Sequence, residues 1–126
     1  PHRALDCARR LSDEMHDWSD ARQREERSAV HVGIGLHWGE VFSGVVGDED
    51  RLEYTALGDT VNIAARLEQM TKTCEMEIIV SGAVLEAAAE PAREDWIALE
   101  PAPLRGRSQP LALFGRQERM RETRVA

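Results

Sequence analysis

Tyr54-Thr55-Ala56-Leu57-Gly58-Asp59-Thr60-Val61-Asn62-Ile63-Ala64-Ala65-Arg66-Leu67-Glu68 carries more information than any other stretch of this 126-residue chain. It reads as a strand end, a Gly-Asp turn and an amphipathic helix from about Thr60 to Thr71. Ile63, Ala64, Leu67 and Met70 recur at helical spacing and form the face expected to be buried. Asn62, Arg66, Gln69 and Thr73 line the opposite side, and Asp59 or Thr60 is placed to cap the N-terminus. Asn62 and Arg66 are four residues apart, which puts an amide and a guanidinium one turn apart on one face. Together such groups can touch a charged phosphoryl group and a nearby ribose.

Upstream, Val30, Val32, Ile34, Leu36 and Trp38 alternate with His31, Gly33, Gly35 and His37. This predicts a strand with one buried face. Two glycines leave its other face nearly bare, so a helix or a ligand must approach closely there. Trp38-Gly39-Glu40 reads as a turn and Val41 to Val46 as a returning strand, giving an expected antiparallel hairpin over 30–46. Before it, Ala4, Ala8, Leu11, Met15 and Trp18 predict a helix over 1–20, with Cys7 as a small buried thiol on its apolar face. After the signature turn and helix of 54–73, the C-terminal strands are expected within 77–115. Ser81 is placed to cap a short helix there, and Leu104-Arg105-Gly106-Arg107 forms a basic turn. The element order indicates an α+β sandwich, with helices against a mixed or antiparallel sheet.

The length allows one domain, which buries roughly two-thirds of its unfolded surface. A net charge of −7 argues against nucleic acid as a partner, so an anionic ligand needs a local basic cluster and metal ions. No run of eighteen apolar residues is present, so this segment makes no membrane contact of a spanning kind. Cys7 and Cys74 lack metal or redox spacing, which suits a reducing compartment. His31 and His37 have no partner at metal spacing and read as packing or hydrogen-bonding residues. Asp48, Glu49 and Asp50 lack the glycine of a calcium loop and read as a solvated turn.

Four ordered blocks resemble the catalytic domain of class III nucleotide cyclases. They are His31 to Val41, with Trp38 where a smaller residue is common, Ser43-Gly44-Val45-Val46-Gly47, Arg51 to Glu68, and Leu104 to Arg107. The resemblance covers about residues 2 to 115. It implies the ferredoxin-like class III cyclase fold, a two-layer sandwich, and conversion of ATP to 3′,5′-cyclic AMP and pyrophosphate in intracellular signalling. It implies that Asn62 orients the ribose and that Arg66 steadies the α-phosphoryl group. A helix arginine standing alone is more often a solvated surface residue, and the surrounding signature reverses that reading. Thr55 matches the position that helps choose the base and favours adenine. Arg105 stands where a lysine usually contacts the terminal phosphates, and Arg51 is a triphosphate contact reached across a dimer.

The family also holds two Mg2+ or Mn2+ ions on two aspartates, in a first strand and a following hairpin. Neither element is recognisable in this sequence. The chain is therefore expected to be the C-terminal part of such a domain, with metal ligands outside it and little activity alone. It is expected to form a homodimer, or to associate with a second cyclase domain, through an exposed sheet edge. A cytoplasmic location follows, with a membrane tether possible elsewhere in a longer protein. Two other readings stay open. One is a non-catalytic cyclase-like module that binds nucleotide or dimerises, and the other is a guanylate cyclase, which Thr55 disfavours.

Overall fold

Ile78-Ile79-Val80-Ser81 forms β4 (Ile78–Ser81), the strand around which the rest is arranged, and none of its four residues is exposed. Three consecutive β-branched apolar residues with no polar alternation suit a strand covered on both faces. The computed structural model describes residues 1–89, 95–103 and 108–117. In it, β4 lies between β1 (Ile34–Leu36), which it pairs in parallel, and β6 (Leu111–Arg116), which it pairs antiparallel. Strand β5 (Ile97–Ala102) pairs antiparallel with the far side of β6, with an irregularity between Leu99 and Ala102. The sheet order is β1-β4-β6-β5, so β1 stands at an edge.

Alternate residues of β4 serve opposite faces. Ile78 and Val80 pack with Leu5 and Ala8 of α1 (His2–Arg24), Val84 and Leu85 of α3 (Gly82–Ala87), and Trp96. Ile79 packs with Ile63 and Leu67 of α2 (Asp59–Thr73), together with Ala102 and Leu113. Helices therefore cover both faces of the sheet. Burial of a side chain such as Leu67 contributes about 1.5–3 kcal/mol. The α+β class expected from the element order is the one observed.

The expected antiparallel hairpin over 30–46 is not formed. Only Ile34–Leu36 is a strand in the first half, and its partner is β4. The second half, β2 (Phe42–Gly47), pairs instead with β3 (Leu52–Leu57), from Phe42↔Leu57 to Gly47↔Leu52. The reason lies in the two connections. Gly47 to Arg51 makes the tight reversal, with Asp48 Oδ1 accepting from the backbone of Asp50 and Arg51, both at 3.0 Å. Residues 37–41 are held elsewhere. The His37 Nδ1 lies 2.7 Å from the Ser81 hydroxyl, and the Glu40 carbonyl accepts from the Thr60 hydroxyl at 2.6 Å. Ser81 thus stands at the start of α3 without a side-chain cap bond, its hydroxyl being used by His37.

The buried stripe of α1 is also rotated from the expected one. Leu5, Ala8, Ser12 and Ser19 face inward, whereas Cys7 is exposed and Leu11 and Trp18 are 44 % and 48 % exposed. Buried hydroxyls are tolerated when they find partners. Ser12 donates to Glu77 Oε2 at 2.8 Å, and Ser19 Oγ accepts from the Val30 backbone N–H at 2.9 Å. His16 bonds the other oxygen of Glu77. The Trp18 ring lies beneath the Arg22 guanidinium, 5.0 Å from it.

The bare strand face is filled by α2. A Cβ added at Gly35 would run into the backbone of Ala64 and Glu68, and one at Gly33 into the side chain of Thr71. Backbone cannot give way as a flexible side chain can. Gly35→Ala is expected to destabilise the fold by about 1–3 kcal/mol. Denaturant unfolding reads this directly, and an unchanged midpoint would contradict the close crossing.

Candidate active site

The signature segment bends at Gly58, whose φ of 132° lies where side-chain-bearing residues are strained. That bend converts β3 into α2 within a single residue. The Gly58 carbonyl accepts from the backbone of Val61 and Asn62, at 3.1 and 3.3 Å, and starts the helix. The N-cap position falls on Gly58, and not on Asp59 or Thr60 as expected from the sequence. Both residues fall inside the helix, and the Thr60 hydroxyl is taken by Glu40. This bond ties the helix start to the connection after β1. Sequence reasoning missed it, because its acceptor is a backbone carbonyl twenty residues away.

Ile63 and Leu67 are 4 % and 1 % exposed, which turns Asn62 and Arg66 outward on the opposite side of α2. Both are solvent-accessible, as a group meant to meet a ligand must be. Arg66 Nη1 donates to the Pro103 carbonyl at 3.3 Å. Pro103 precedes Arg105 by two residues, and Arg105 itself lies outside the described residues.

Thr55 is half-buried on β3, directly opposite Gly44 of β2. Strand alternation places Phe42, Gly44 and Val46 on one face with Leu57, Thr55 and Glu53. A cavity of about 380 Å³ opens on this arm, lined by Phe42, Gly44, Val46, Thr55, Leu57 and Gly58. It is mostly apolar, with the Thr55 hydroxyl as a polar group that can both donate and accept. It adjoins the bend into α2. Arg51 is at the other end of the arm, beyond the six residues of β3 and hence roughly 20 Å from Leu57. Along the chain, Thr55 stands three residues before Gly58, Asn62 four residues after it and Arg66 one turn further along α2, while Arg51 stands at the far end of β3.

A larger cavity, about 640 Å³, lies at the other end of α2 between Met15, His16, Val32, Thr71 and Met76. None of the sequence-predicted site residues lines it. Among the described residues no three His, Cys, Asp or Glu side chains converge as metal ligands. No helix among the described residues is long and apolar enough to cross a membrane.

Comparisons with known proteins give the family and the fold. The family described as the adenylate and guanylate cyclase catalytic domain matches residues 2–114. Adenylate cyclase 1 of Rhizobium meliloti is 32 % identical over 114 residues, covering 88 % of this chain and 16 % of that protein. An uncharacterised protein of Mycobacterium tuberculosis is 37 % identical over 110 residues, 87 % of this chain and 19 % of its own length. The chain therefore spans less than a fifth of these relatives. Among solved structures, the guanylyl cyclase Cya2 superposes with a TM-score of 0.71 at 24 % identity, over 94 % of this chain and 60 % of that one, a likeness of fold. A bacterial light-regulated adenylyl cyclase superposes with a TM-score of 0.54 at 28 % identity, over 67 % of this chain and 23 % of that one. The chain belongs to the adenylate and guanylate cyclase catalytic domain family.

Proposed function

We propose that this chain is the C-terminal part of an adenylate cyclase catalytic domain, which converts ATP to 3′,5′-cyclic AMP and pyrophosphate. The observation that supports the reading is the exposed pair Asn62 and Arg66 on α2, which follows the Gly58 bend from a strand whose Thr55 lines an apolar slot. In the reaction the ribose 3′ oxygen loses its proton and attacks the α-phosphorus. The bond to pyrophosphate breaks as the new one forms. Negative charge on the phosphoryl oxygens is met by the Arg66 guanidinium, which is planar, forked and always charged. Asn62, one turn earlier, orients the ribose. The base lies at Thr55, whose hydroxyl suits an adenine edge. Arg105 and Arg51 are proposed to bind the triphosphate, Arg51 from a second domain.

The likeness to the Rhizobium meliloti adenylate cyclase supports the ATP reading. The alternative reading is a non-catalytic module that binds nucleotide, without the metal carboxylates of a cyclase. Under the cyclase reading those carboxylates, and the Mg2+ or Mn2+ they hold, come from outside the chain. The free edge of β1 supports this. Val32 continues its alternation and has no strand partner among the described residues, as expected if a further strand pairs along this edge.

Kinetics of the full polypeptide that carries this chain separate the readings. Arg66→Ala is expected to lower kcat by about 100- to 1,000-fold with little change in KM. Wild-type turnover in that variant would refute the assigned role.

The arm supports a dimer. Phe42, Val45, Leu52 and Tyr54 are 83 %, 63 %, 69 % and 76 % exposed, which is unusual for a chain that works alone. Val45, Leu52 and Tyr54 share the face away from Thr55. Light scattering is expected to report a dimer, and Leu52→Ser with Tyr54→Ser a monomer that remains folded. A wild-type monomer at high concentration would contradict the assignment.

A further inference from the structure

Among the described glycines, Gly44 is the one that neither a positive φ nor a close neighbour requires. Its φ is not positive, unlike those of Gly47 and Gly58. A Cβ built on it meets nothing within 4 Å, unlike one built on Gly33, Gly35 or Gly39. Glycine inside a strand weakens it by entropy and by lost packing, and where it persists another group commonly comes close to the backbone. The space above Gly44 is open, within a shallow concavity of the arm. This concavity, about 380 Å³, is walled by Phe42, Val46 and Leu57, with Ser43 and Thr55, the cross-strand partner of Gly44, as its hydroxyl-bearing residues. Phe42 is 83 % exposed, so its ring is free to stack on a planar ligand.

We infer that Gly44 is a specificity-determining residue, whose missing side chain leaves room for the purine of the substrate to lie flat across β2 with one edge at the Thr55 hydroxyl. This rests on the cyclase reading above and adds a residue to it. Any side chain at position 44 enters the volume that the base needs, while the fold has space for it. Gly44→Val is therefore expected to leave thermal stability equal or higher, because valine suits a strand better than glycine. The same change damages nucleotide binding. That opposition separates a substrate role from a structural one.

The test uses the full polypeptide and calorimetry with two probes, ATP and inorganic tripolyphosphate, which carries the phosphates and no base. Gly44→Val is expected to raise the Kd for ATP by about tenfold or more, the usual scale for a misplaced methyl group in a fitted pocket. The Kd for tripolyphosphate and the dimer mass stay unchanged, and Gly44→Ala falls between the two. An unaltered Kd for ATP would overturn the inference. Equal weakening of both probes, or dissociation of the dimer, would also overturn it, by showing that the side chain acts on the fold or on a partner's backbone. Loss of ATP binding by the variant, in a wild-type protein that binds ATP without turning it over, would support the slot and refute only the cyclase reading. No ATP binding by the wild type would refute both.

Discussion

The approach of α2 onto β1 is the constraint on which the other features depend. Gly33 and Gly35 present no side chains to the helix, so the backbone of Ala64 and Glu68 sits against the strand. Side-chain bulk between them would lift the helix and empty the space now filled by Ile63 and Leu67 against Ile79 and Leu113. Once those two residues are fixed inward, 3.6-residue periodicity fixes Asn62 and Arg66 outward. Gly58 then determines how this face stands relative to Thr55 on the arm. The Thr60–Glu40 bond ties the helix start to the connection after β1, closing a loop of constraints around the helix start. A reactive group displaced slightly loses much of its effect on a transition state. In the proposed cyclase, rigid support beneath Arg66 keeps its guanidinium in place.

The arm follows a different logic. A two-stranded ribbon is marginal by itself in water, and this one exposes apolar side chains on both faces. One face carries Thr55 and the slot above Gly44, and the other carries Val45, Leu52 and Tyr54. In the proposed cyclase the two faces have separate occupants, a nucleotide base and a second domain. The chain's net charge of −7 makes local arginines, rather than its overall field, responsible for holding an anion.

Much of this was legible in the sequence because periodicity reports burial. The signature helix, its inward Ile63 and Leu67, and its outward Asn62 and Arg66 followed from spacing alone. The two glycines signalled a close approach, which α2 supplies. The pairing of strands was not legible. Alternation over 30–46 identifies extended segments and not their partners, and the partner of Phe42–Gly47 depended on which connection could reverse tightly. Ser12 and Ser19 hid the true inward stripe of α1, since their partners, Glu77 and the Val30 amide, are distant in the chain. The slot was invisible because its defining feature is a missing side chain at Gly44, and no sequence pattern tells an empty space from a filled one. The role of Arg105 stands on the motif alone.

On this reading the chain supplies the base- and phosphate-facing groups of a divided cyclase site, and the metal carboxylates lie elsewhere in the same protein. The most direct test is cyclic AMP formation from ATP and manganese, measured for the pure chain and then for the chain mixed with the preceding segment of its own polypeptide. A divided site predicts no activity in the first case and activity in the second. Robust cyclic AMP formation by the pure chain, or none from a correctly folded mixture, would contradict it.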